Sequence, residues 1–290
     1  MSARACSEMA AFGAPPGERD LYVFPFTDED FHRIRGLIYR AAGISLAPSK
    51  KGLVYSRLAR RLRVKSISSF DSYIRMLEAG DTTEREEFIN ALTTNMTSFF
   101  REAHHFPILD KLFASRPKNA PILIWSCASS SGEEPYSIAI TAAEHFGSFS
   151  NPVRILATDI DTNVLEKARR GIYTLEQLNR LTPDQLKRFF LQGTGANRGF
   201  ARVKPELQQM ISFQQFNLLE PQWLLKERFD AIFCRNVMIY FDKDTQYEIL
   251  KKMHPRLQPD GLFFAGHSES FHHATELFRV CGKTVYAPRR

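Results

Sequence analysis

The chain has 290 residues, 43% of them hydrophobic, with 39 basic and 32 acidic side chains giving a net charge of +7. That is enough apolar material for one large or two smaller globular domains, and no apolar stretch approaches the ~18 residues that would suggest a membrane span. Four scattered cysteines, Cys6, Cys127, Cys234 and Cys281, form no C-x-x-C, which argues against a disulfide framework or a zinc site and for free thiols in a reducing, cytoplasmic compartment.

In chain order, residues 1–20 lack a sustained apolar run and read as a flexible tail. Residues 21–94 read as a small basic helical domain. "FTDEDF" sets Thr27 as an N-cap before three acids, opening a helix that runs to about Ala42 and stops at Gly43. A second helix opens after Pro48 and Ser49. On a 100° wheel its Val54, Tyr55, Leu58, Ala59 and Leu62 fill one arc, with Arg57, Arg60, Arg61 and Arg63 opposite. Two more amphipathic helices are expected at about 69–78 and 83–93. From Arg33 to Arg75 there are eleven basic residues against one acid, Asp71. This segment therefore carries more than the whole net charge, and the remainder of the chain is acidic by three. An acidic partner is expected to dock there. Basic and aromatic residues are not interleaved, so a single-strand nucleic-acid platform is not expected.

From residue 95 to 290 strands and helices alternate. Strands are predicted at 121–126, 153–158, 210–216, 229–234, 261–266 and 283–287, and helices at 133–146, 161–170 and 243–258. Such alternation gives an α/β domain with a parallel sheet covered on both faces. Residues 189–210 look like a small antiparallel β insertion. Its Gly193, Gly195 and Gly199 fit either hairpin turns or the close approach of another strand. The eight histidines include two adjacent pairs, His104-His105 and His272-His273, and neighbours in sequence are not expected to converge on a metal, so no metal site is predicted.

The chemistry should lie just beyond strand ends. "WSCASSSGEEPYS" (Trp125 to Ser137) reads as strand, small-residue loop and helix, but it lacks G-x-G-x-x-G. Glu133 and Glu134 stand where a phosphate would need bare backbone. They repel phosphate and suit a cation, or they simply oppose the helix dipole. Asp159 ends the next strand, where a carboxylate can accept both ribose hydroxyls. An adenosine bearing a positive charge and no phosphate, S-adenosylmethionine (SAM), fits this combination better than NAD or ATP.

"NMTSFFRE", "WSCASSSGEEPYS", "ATDIDTNVLEKARRGIY", "FNLLE", "FDAIFCRNVMIYFD" and "PDGLFFAGHSES", in that order, resemble CheR, the bacterial chemotaxis receptor methyltransferase family, over about residues 25–288. The resemblance implies a Rossmann-like SAM-dependent methyltransferase domain preceded by a small all-α domain, acting as a protein-glutamate O-methyltransferase. It implies cofactor contacts from Asn95, Thr97, Arg101, Glu133 (with Glu134 the alternative acid), Asp159, Asn217, Leu218, Arg235 and Asn236. Arg101 and Tyr240 would orient the acceptor carboxylate. The arginine face would bind glutamate-rich receptor helices. The three glycines match the spacing of family members that grip a receptor's C-terminal peptide by strand addition. A cytoplasmic monomer, with no nucleic acid and no direct membrane insertion, is expected. RNA methylation, a catalytically silent SAM-sensing adaptor and a methyltransferase of another chemosensory pathway are the competing readings. Cys234, next to Arg235, is the thiol expected to border the cofactor, with Cys127 the alternative. No role is assigned to "GHSE".

Overall fold

The structure is a computed structural model that describes residues 24–117 and 120–290. The expected tail and Cys6 lie outside the described residues. Helix α1 (Asp28–Ala42) starts at Thr27, whose hydroxyl accepts from Asp30 N while the Asp30 carboxylate accepts from Thr27 N. It ends at Gly43, which is left-handed at φ 69°. A single 3₁₀ turn over Pro48–Lys50 leads into α2 (Lys51–Val64), followed by α3 (Phe70–Glu78) and α4 (Thr82–Leu92). Ser69 and Asp81 cap the last two through their side chains. Ile34, Ile38, Val54, Leu58, Leu62, Phe70 and Tyr73 are buried together, so the apolar arc of α2 is core.

The opposite arc is not one free cationic face. Arg61 donates through Nε and Nη2 to the Glu84 carboxylate at 2.9 and 2.7 Å and reaches Glu87 at 3.0 Å. Arg57 donates to the carbonyls of Leu92 and Thr93. Both hold α4 and its C-terminal end against α2. Arg60 and Arg63 remain exposed, and the Arg63 guanidinium lies 5.9 Å from the Phe24 ring centroid. The wheel could separate apolar from polar positions but could not show which arginines meet acceptors from another helix.

The second part of the chain runs α5 (His105–Ser115), β1 (Ile122–Ser126), α6 (Glu133–Phe146), β2 (Val153–Asp159), α7 (Thr162–Arg170), β3 (Ile172–Thr174), α8 (Pro183–Phe189), β4 (Phe190–Gln192), β5 (Phe200–Val203), α9 (Pro205–Gln208), β6 (Ile211–Gln215), β7 (Phe229–Cys234), α10 (Lys243–Met253), β8 (Leu257–Ala265), β9 (Phe278–Gly282) and β10 (Val285–Pro288). Seven strands form one sheet in the order β6-β2-β1-β7-β8-β10-β9. The first five are parallel, and the β9–β10 hairpin closes one edge antiparallel. Every residue of β7 is buried, as suits a parallel strand covered on both faces. The chain moves outward from β1 to β2 and β6, then returns to the other side of β1 at β7. A crevice opens at that reversal.

Two element boundaries differ from expectation. Helix α10 stops at Met253 rather than 258, because Pro255 has no N–H to continue the helical ladder and the chain tightens into a 3₁₀ turn over His254–Arg256, and β8 begins at Leu257. The small antiparallel sheet has three strands in the order β3-β5-β4, so it begins at Ile172 and not at 189. A strand of three residues is too short for alternation to show.

Candidate active site

A cleft of about 410 Å³ lies beyond the carboxyl ends of β1, β2 and β7 and is roofed by the helical domain through residues 42–53 and 92–97. That is within the roughly 300–1,000 Å³ usual for small-molecule sites. Asn95, Thr97, Arg101, Asp159, Asn217, Leu218, Arg235, Asn236 and Tyr240 all line it. Glu133 does not. It is 2% exposed and its carboxylate accepts from Ser131 Oγ at 2.7 Å. Glu134 is the acid on the wall, and this corrects the choice of Glu133. Adjacent helical residues point about 100° apart, so one acid can face the cleft and its neighbour cannot.

The loop before α6 is shaped by backbone geometry. Gly132 has φ 100°, and a Cβ there would come within 2.8 Å of the Tyr173 hydroxyl and 2.9 Å of Ala168. Ser130 N donates to Asp159 Oδ2 at 2.8 Å, and Asp161 N donates to Asp159 Oδ1 at 3.0 Å. Burial nevertheless pushes the Asp159 carboxyl up to about 6, against those two bonds. Each of its oxygens keeps acceptor capacity for a ligand.

On the other side, Arg235 sits between two acids. Its Nη1 is 3.0 Å from Glu134 Oε2, its Nη2 is 3.4 Å from Glu102 Oε2, and Nη2 also donates to the Arg101 carbonyl. Ser126 Oγ donates to Glu134 at 2.7 Å. Burial pushes the Glu134 carboxyl up despite Arg235, whereas Glu102 is held low by the His267 N–H and Arg235 despite its burial. Arg235 is thereby consumed as a brace. The acids of the lining are Glu134 and Asp159, and its basic residues are Lys50, Arg101 and Arg235, with Arg101 Nη1 donating to the Met96 carbonyl at 2.8 Å. The two acids suit a cationic ligand that carries hydroxyls.

Other predicted residues have partners within the protein. Asn95 Nδ2 donates to Asp161 Oδ2 at 2.7 Å, alongside Thr93 Oγ1, and so joins the helical domain to the N-cap of α7. Asn217 Nδ2 donates to the Ala41 carbonyl at 2.9 Å. The Tyr240 hydroxyl is 3.5 Å from the Thr94 carbonyl. Glu269, in the "GHSE" stretch, accepts backbone N–H bonds from Asn236, Val237, Met238 and Gly266 and clamps the loop after β7. The stretch is among those that carry the family resemblance, but its role follows only from the folded sheet, where its own loop meets the one after β7. Phe100, Glu102, Ser130 and Asn236 all have positive φ, and they flank Arg101 on both sides, shape the loop before α6 and follow Arg235. Such backbone is sustained where surrounding contacts over-determine it, commonly at functional sites.

His104 and His105 do come near one another's ligand atoms, together with Glu102, within 4.8 Å. They straddle the start of α5, which is why sequence neighbours can converge here. His105 Nε2 lies 2.9 Å from Thr284 Oγ1. Burial, followed by Arg235, pushes His105 down to about 3, so its ring is neutral near neutral pH. Cys234 is fully buried and does not reach the cleft, whereas Cys127 does, correcting the choice of thiol. Burial raises both thiols, so neither is activated.

The three glycines belong to the connection between β4 and β5. Gly195 and Gly199 have φ 57° and 97°, which the turn itself demands, and a Cβ on Gly193 would fall 2.1 Å from the Asn197 carbonyl oxygen. None lies within a strand, so the turn reading accounts for them; a strand could add only at the outer edges, β3 or β4.

The pH dependence of binding follows from Asp159. A carboxylate raised to about 6 protonates as pH falls through that value, losing acceptor capacity toward hydroxyls. Affinity for S-adenosylhomocysteine should therefore fall below pH ~6, by at most about tenfold per unit. Calorimetry of Asp159→Asn should show weaker and flatter binding over that range. Glu134 is also raised, so Glu134→Gln serves as the control and should keep the titration.

Comparison with known proteins bears on this geometry. Residues 95–287 match the family described as "CheR methyltransferase, SAM binding domain", and residues 29–93 match "CheR methyltransferase, all-alpha domain". The chain is 55% identical to "Chemotaxis protein methyltransferase 2" of Pseudomonas aeruginosa over 266 residues, 91% of this chain and 95% of that protein. It is 52% identical to "Chemotaxis protein methyltransferase" of Escherichia coli K12 over 262 residues, 90% of this chain and 91% of that one.

Proposed function

Because the chain belongs to the CheR methyltransferase family, and is thus a SAM-dependent methyltransferase of chemotaxis, we propose that its acceptor is the side-chain carboxylate of glutamates on cytoplasmic helices of methyl-accepting receptors. The observation that carries this reading is the presence of Arg101 and Tyr240, a charge and a hydroxyl suited to an anion, in the lining of the same cleft as Asp159 and Glu134. When bound, SAM supplies an electrophilic methyl group on a sulfonium. A glutamate side chain is already ionised at neutral pH, so no general base is required of the protein.

The chain's residues then have positional work. We assign Asp159 to the ribose hydroxyls and Glu134 to the cationic end of the cofactor, with Asn217, Leu218 and Asn236 completing the wall. Arg235 is assigned to holding Glu134 and the Arg101 backbone in place. Arg101 and Tyr240 orient the acceptor oxygens, because a clamp that bound them tightly would blunt the nucleophile. Arg60 and Arg63 are the exposed cations for an acidic receptor helix, while a receptor tail peptide would pair with an edge of the small sheet. Among the described residues no helix is long and apolar enough to cross a membrane.

The test is incubation with methyl-tritiated SAM and receptor-containing membranes. Base-labile counts in receptor are expected, and counts in RNA, or base-stable counts, would displace this reading. In the same assay Tyr240→Phe should lower kcat about tenfold or more while affinity for S-adenosylhomocysteine changes less than about twofold.

A further inference from the structure

Two large apolar side chains stand in water on the wall of the cleft. Met96 is 82% exposed and Ile239 is 51% exposed, yet both line the cavity. Each is carried on a fixed segment. Arg101 Nη1 holds the Met96 carbonyl, and Glu269 holds Val237 N and Met238 N, the start of the 3₁₀ turn Met238–Tyr240 that bears Ile239. The Tyr240 hydroxyl lies 3.5 Å from the Thr94 carbonyl, so the two segments come near one another there. Met96 is thus tied to Arg101, and Ile239 adjoins Tyr240.

Exposed large apolar groups beside a pocket mark a surface that a partner covers. The charge around them says which partner. Lys50, just before α2, is exposed in the lining of the same cleft, and Arg60 and Arg63 are the exposed cations of α2. An acidic helix following α2 would be carried onto this rim. A continuously acidic surface would leave Met96 and Ile239 uncovered, so the part that crosses the rim must be apolar. A glutamate presents two methylenes between its backbone and its carboxylate, and its neighbours on a helix face are three and four residues away.

We propose that Met96 and Ile239 form an apolar docking rim that receives the methylenes of the acceptor glutamate and the apolar residues one helical turn from it, so that they set which glutamates are accepted. This rests on the reading of receptor glutamate as the acceptor. Met96 and Ile239 are assigned to positioning the acceptor, with no part in the methyl transfer itself.

The test uses the full chain with the cytoplasmic fragment of a methyl-accepting receptor from the same organism. Met96→Ala with Ile239→Ala should raise KM for the fragment about tenfold, the scale of losing burial of one such side chain. The value of kcat and affinity for S-adenosylhomocysteine should change less than about twofold. Since the lost contact is apolar, the rise should persist at about 0.5 M salt, where contacts between exposed charges are screened. Met96→Leu should restore most of the binding. Unchanged KM in the double variant, with normal transfer by the wild type, overturns the rim alone. A joint fall of kcat and cofactor affinity would mean a structural role and also overturn it. A wild-type dimer that Met96→Asp abolishes would give the patch to a second copy. No transfer by the wild type would remove the acceptor assignment, and the rim with it.

Discussion

Arg61→Met should lower folding stability by about 3–5 kcal/mol, the range for breaking a buried ion pair from one side. Glu84 is 1% exposed and accepts from Arg61 twice and from the Tyr73 hydroxyl at 2.8 Å, with Lys65 Nζ at 3.6 Å. Without the guanidinium, that carboxylate remains buried with far less compensation. The effect also has a pH signature. Burial works to raise Glu84, but the bonds from Arg61 and Tyr73 win and hold it below the usual carboxylate range. A lowered folded pKa contributes stability above the unfolded value and loses it as pH falls through the folded one. In the variant burial dominates, so its deficit should shrink on acidification. Urea unfolding near neutral pH and at mildly acidic pH measures both. Arg60→Glu with Arg63→Glu should stay within about 0.5 kcal/mol of wild type in stability. It should still raise receptor KM at low salt, chiefly by slowing association. Equal unfolding midpoints for Arg61→Met and wild type would return Arg61 to the docking surface.

Arg235→Met is expected to be comparably severe, about 3–5 kcal/mol, and to weaken cofactor binding as well. Its side chain is 1% exposed and supplies the positive charge between Glu134 and Glu102, whose carboxylates would otherwise face one another across a closed space. Arg235→Lys should rescue little, since one ammonium cannot span two acids and the Arg101 carbonyl as the planar fork does. Adding Glu134→Gln to Arg235→Met should recover part of the stability, with a coupling of about 0.5–3 kcal/mol. Chemical denaturation of the four proteins of this cycle decides it. Strict additivity would mean that Arg235 does not act on Glu134.

The positions of the helices of the N-terminal domain were legible because caps and wheels are local. Thr27, Ser69 and Gly43 sit where their side-chain chemistry and backbone freedom place them. The strands β1, β2 and β7 were legible as apolar runs, and the crevice followed from the alternation of strand and helix. Less visible was the short β3, whose three residues carry no periodicity, and the edge hairpin, of which only the second strand was expected. The role of Glu269 was not legible because its four N–H partners come from two strand-end loops that meet only in the sheet.

By itself the sequence determined the two-part layout, the strand ends at which the cleft lies and the small-residue loop between β1 and α6. These depend on residue type and spacing, which any chain order displays. Only the tertiary structure decided which member of a pair faces the cleft. Glu134 rather than Glu133 and Cys127 rather than Cys234 face the cleft, Arg57 and Arg61 are spent inside the helical domain, and Arg235 is a brace between two acids. The reason is directional. Propensity and composition place a side chain on an element, but which way it points, and what charge meets it there, is set by elements far away in the chain, as where Arg235 meets the Arg101 carbonyl 134 residues earlier and Asn217 meets the Ala41 carbonyl 176 residues earlier.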